Sequence, residues 1–158
     1  MKITEHIFQS FVRCPHKAHL LLKGTVGQKS DYEILQDDLH NAYISDMLWT
    51  DNDQPSCHRR STSSTSNSRS SSLDEKLITN VQVAYGELSS FCEIVVKNNG
   101  NSSLGQFYYS PVVITHKNKI SKEDRALLAF RGLILERMQN RSLEYGLIIY
   151  GNPRGTCQ

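Results

Sequence analysis

Hydrophobic patterning predicts an α/β (α+β) domain with a mixed sheet, and three observations carry that prediction. Val, Ile and aromatic residues concentrate in 78–85, 91–97 and 106–115, the composition of half-buried strands. Apolar residues recur every three or four positions in 31–48 and again after Ser121, the period of amphipathic helices. A last apolar run, Leu147-Ile148-Ile149-Tyr150, reads as a short buried strand. The core order is therefore helix, three strands, helix, strand (α-β-β-β-α-β), behind an N-terminal pair of helices.

Each element has a local reason. Ile7, Phe8, Phe11 and Val12 share one helical face in residues 4–12, and Pro15 suits the first position of a second helix, where its missing N–H leaves nothing unpaired. Gly24 ends that helix. Ser30 caps the third, whose Tyr32, Leu35, Leu39, Tyr43 and Met47 form the expected core-facing stripe. Asn98-Asn99-Gly100-Asn101 has turn chemistry and is expected to join the second and third strands, while Pro111 is tolerable only near an edge or a bulge. Ser121 with Asp124 caps a helix carrying Leu127, Phe130, Ile134 and Met138 on one side.

The chain has 158 residues, enough for one core, and divides into helices (1–50), a serine-rich insert (51–75) and a sheet-and-helix half (76–158). The run STSSTSNSRSSS buries too little to offset ordering and is expected to be a flexible insert. No apolar run approaches the roughly 20 residues that cross a bilayer, so no membrane is expected as a partner. The N-terminus lacks the apolar core and cleavage site of a secretory signal, which places the chain in the cytoplasm. Net charge is +2, but from Pro111 onward eight Lys and Arg face four Asp and Glu, a bias that suits a phosphate backbone or a solvated helix face. Cys14, Cys57, Cys92 and Cys157 form no CxxC pair, and Cys14 with His16 and His19 is too local to converge on one tetrahedral metal.

The order of elements matches the core of the PD-(D/E)XK nuclease superfamily, and two sequence blocks sharpen the match. FVRCPHKAHLLLKG resembles the first helical motif of RecB-like nucleases, including the CRISPR-associated exonucleases, and FCEIVVKNNGNSSLGQFYYSPVVITHKNKISKEDRALLAFRGLILERMQ resembles a related RecB-like group. With YGLIIYG the resemblance covers most of the chain outside the serine insert. It implies a restriction-endonuclease-like fold, Mg²⁺ or Mn²⁺ as cofactor, and DNA, most of all single-stranded DNA, as partner.

The resemblance also implies site residues. Glu93 matches the acid of the second core strand, and His40 matches the helix histidine, so both are expected as metal ligands. Helix surface is the alternative reading of His40. The third-strand acid and lysine are replaced by Val113 and Thr115, and Leu127 and Arg131 stand near the positions of a glutamine and a tyrosine. Cleavage is therefore expected to be weakened unless Lys117, or Lys119, serves from a shifted position. Arg13, Lys17, Arg125 and Arg131 are the expected phosphate contacts, Arg131 alternatively being the snorkelling edge of a packed helix. Only Cys14 matches the cysteines that hold an iron–sulfur cluster in the exonucleases, so no such cluster is expected. The chain reads as a truncated relative or a piece of a longer protein. The other expectation is a non-catalytic interaction or structural module that binds no nucleic acid.

Overall fold

The computed structural model describes residues 1–25, 27–49 and 77–151. The serine tract, Cys57 and Cys157 lie outside them. The elements are β1 (Ile3–Thr4), α1 (Glu5–Arg13), α2 (Pro15–Leu22), α3 (Asp31–Trp49), β2 (Leu77–Tyr85), β3 (Leu88–Ser102), β4 (Gly105–Thr115), α4 (Lys122–Gln139) and β5 (Leu147–Tyr150). The α+β class and the mixed sheet are as expected, with the short strand β1 added.

Capping chemistry places the helix ends. Thr4 accepts from the Ile7 amide ahead of α1. Pro15 opens α2 at its first turn, and Gly24 follows it at φ +79°, a conformation that favours glycine. Ser121 and Asp124 exchange side-chain-to-backbone bonds at the start of α4, and Asn140 ends it in the left-handed region.

The sheet is mixed. β3 pairs antiparallel with β2 and β4, whereas β1 joins β3, and β5 joins β4, in parallel. β4 is interior, yet Pro111 is tolerated because β5 reaches β4 only from Val112 onward. α1 and α4 cover one face, where Phe8 stacks on Phe130 at 4.4 Å and Val83, Cys92, Val95, Ile134 and Leu135 complete a cluster. A separate cluster of Ile94, Val112 and Ile114 is covered by Tyr43 and Ile44 of α3 and by Ile149 of β5. Helices thus lie on both sides of the sheet.

Two expectations are corrected. Asn98 to Asn101 continue β3 instead of turning, with Asn98 paired to Tyr108 and Asn99 to Phe107, and the chain reverses at Ser103-Leu104. The reason is tertiary. Ser103 N–H and Oγ bond the Gln139 and Met138 carbonyls at the end of α4 (2.9 and 3.0 Å), while Arg141 donates to Asn101 O at 2.7 Å. Anchoring the hairpin tip to α4 moves the turn beyond the asparagines, and a register shift between Asn99 and Ser102 absorbs Gly100. Second, the predicted stripe of α3 coincides with its packed face only in part, at Tyr43. Tyr32, Leu35 and Leu39 are exposed, and Tyr43 with Ile44 makes the apolar contact to the sheet. The helix is rotated so that His40, one turn before those contacts, faces inward to Glu93.

Candidate functional site

A gap in the sheet creates the site. β2 occupies one edge of β3 from Leu88 to Val96, so β1 and β4 must share the other. β4 pairs along that edge only as far as Ile94–Val112, and β1 takes it up again at Ser89. The main chain from Ser90 to Glu93 is left between them with no strand partner on that side among the described residues. Backbone polar groups at such a place need other partners.

Side chains supply them. Glu5, in the first turn of α1, accepts from the Phe91 amide at 3.2 Å and from the Ser90 hydroxyl. Arg131, one of the largest fully buried side chains at 1% exposure, enters from α4. Its Nε and Nη2 donate to Glu5 at 3.3 and 2.9 Å, Nη2 and Nη1 donate to the two oxygens of Glu93, and Nη1 also reaches Val112 O at 3.2 Å. All five guanidinium donors are thereby engaged. His40 Nε2 lies 3.7 Å from Glu93 Oε1.

The electrostatics follow from this enclosure. Burial by itself would raise the pKa of Glu93, but the nearby His40 and the bonds from Arg131 outweigh it and hold the carboxyl at about 2. Burial would likewise discharge Arg131, but Glu93 and Glu5 keep it cationic and raise its pKa. His116, at the end of β4, has its ring 6.3 Å from that of His40, and burial, then the neighbouring His40 and Lys117, lowers its pKa. Its Nδ1 is buried and has no hydrogen-bond partner among the described residues.

The structure brings Glu93 and His40 together, with Arg131 as the partner of Glu93. That arginine is a correction: expected to meet phosphate, it is instead the buried centre of an ion triad. A divalent ion does not fit Glu93, because both carboxylate oxygens already face a fixed positive charge. Among the described residues no group of three or more His, Cys, Asp and Glu is disposed to hold a metal ion. Val113 and Thr115, at the positions of the expected acid and lysine, are buried. Lys117 is directed to Ser121 Oγ at 3.3 Å and Asp124 Oδ1 at 3.4 Å, within the cap of α4.

The other basic candidates occupy two places. Arg13 is exposed at the end of α1 close to Glu123, and Lys17 pairs with Glu33 of α3. Arg125 is exposed on another flank of α4. Sequence reading missed Glu5, for nothing in its local pattern separates a helix-opening acid from one that reaches a strand 85 residues away. Comparison of the sequence with family models and with curated proteins found no match in either.

Proposed function

We propose that this chain is a nuclease-like domain that binds single-stranded DNA without cleaving it. The observation that carries the reading is the guanidinium of Arg131 seated between two carboxylates where the strands part. In a site of the PD-(D/E)XK type that place would call for a divalent cation. Here an internal cation neutralises the acids, so Glu93 neither recruits an ion nor serves as a base. The resemblance of the two sequence blocks and the basic excess beyond Pro111 support retention of a DNA-facing surface, with Arg13, Lys17 and Arg125 as its contacts.

The test is incubation of the purified chain with labelled single-stranded DNA and Mn²⁺ or Mg²⁺. Binding that weakens steeply between about 50 and 200 mM salt, without cleavage, is expected. Turnover that disappears in Glu93→Gln or Lys117→Ala would overturn the non-cleaving part.

A second reading, an interaction module that binds no nucleic acid, is favoured by the exposed Tyr32, Leu35 and Leu39 on α3. It predicts no DNA binding at any salt concentration.

A further inference from the structure

We infer that the groove along the outer flank of α4 takes the bases of a single-stranded nucleic acid, with Tyr145 as stacking platform and Arg125 as phosphate contact; this rests on the nucleic-acid reading above. The groove encloses about 370 Å³. Leu128, Gly132 and Leu133 of α4 form its floor, and the segment holding Tyr145 and Gly146 forms the facing wall.

That wall is held in place. Glu136 accepts from the Leu143 amide at 2.7 Å and from the Ser142 hydroxyl at 3.3 Å, tying the segment to α4. Gly146 permits the close approach, because a Cβ there would stand 2.8 Å from Leu128 Cδ1. Tyr145 is 45% exposed, yet its hydroxyl donates to Asn98 Oδ1 at 2.6 Å. Asn98 is itself tied through Nδ2 to Ser110 Oγ at 2.9 Å and to Val96 O at 3.2 Å. An aromatic face is therefore presented to solvent in a fixed orientation.

Base stacking needs such a face, and it needs an unpaired base, since the faces of a base inside a duplex are already covered. Arg125 lies on the same groove, is exposed, and makes no ion pair among the described residues. Its charge complements a phosphate, whereas the apolar floor complements base and sugar.

The experiment is fluorescence anisotropy of a labelled oligothymidylate and of a labelled duplex of equal length, using the whole chain. Tighter binding of the single strand is expected. Tyr145→Ala should lower its affinity about tenfold, and Tyr145→Phe, which keeps the ring, should retain most of it. Arg125→Ala should reduce the slope of log affinity against log salt by about 0.7, the value for one single-strand phosphate. Circular dichroism melting should be unchanged in Arg125→Ala and lowered by only a few degrees in the two Tyr145 variants, which lose the hydroxyl bond to Asn98, so that each variant is still folded when binding is read. If the single strand binds and Tyr145→Ala and Arg125→Ala bind it like the parent, the groove is not the site, although the proposed function stands. If neither probe binds, the nucleic-acid reading fails and the groove assignment fails with it.

Discussion

Arg131 is the residue on which the site turns, because a cation with its five donors engaged at 1% exposure cannot be removed without stranding two acids. Arg131→Met should destabilise the chain by about 3–5 kcal/mol in urea unfolding, a size typical of breaking a buried ion cluster from one side. Loss of under about 1 kcal/mol would mean that the triad is solvated and weak. Glu93 adds a pH signature. Its folded-state pKa of about 2 lies below the ordinary 4.5, so its contribution is complete above 4.5 and disappears as pH falls toward 2. Urea midpoints measured across that interval should fall with decreasing pH, and Glu93→Gln should flatten that part of the profile. Glu93 was legible from the sequence as a strand acid set in a motif block. Its partners were not: Glu5 is 126 residues from Arg131, and local patterning carries no information about which charges meet across the core.

At the level of elements, helices and strands followed from short-range rules, but their rotation and their turns did not. α3 shows the difference. Its three- and four-residue spacing announced a helix, yet Tyr32, Leu35 and Leu39 of the stripe face solvent, while its Tyr43 joins Ile44, from outside the stripe, in covering Ile94, Val112 and Ile114. Ile44→Ala should therefore lower stability by about 1–2 kcal/mol, and Leu35→Ala by less than about 0.5, as read from denaturant midpoints. The reverse ranking would place the packed face where the stripe predicted it. The β3–β4 turn teaches the same lesson. Asn98-Asn99-Gly100-Asn101 satisfies every local preference for a turn, but Ser103 bonded to the end of α4 and Arg141 bonded to Asn101 carry the hairpin further. Several hydrogen bonds at about 1 kcal/mol each outweigh turn propensities of tenths.

Over the whole molecule, stability should concentrate where layers meet on both sides. β3, β4 and α4 contribute most of the buried side chains, whereas α3 rests on the sheet through a small apolar contact and the reach of His40 to Glu93. Hydrogen exchange should find the slowest amides in those three elements and markedly faster exchange in α3, despite its 19 residues. Equal protection of α3 and α4 would contradict this layering. The sequence by itself determined the order of the main elements, the helix caps at Ser121 and Ser30 and the strand acid Glu93, because periodicity and capping act within a few residues and need no knowledge of the rest of the chain. Only the tertiary structure decided that β4 leaves β3 at Glu93, that α1 and α4 send Glu5 and Arg131 into the opening, and that Tyr145 stands locked over a groove. Those outcomes depend on which distant groups share a low-dielectric interior, where an unpaired charge or amide is too costly to leave and any partner within reach is taken.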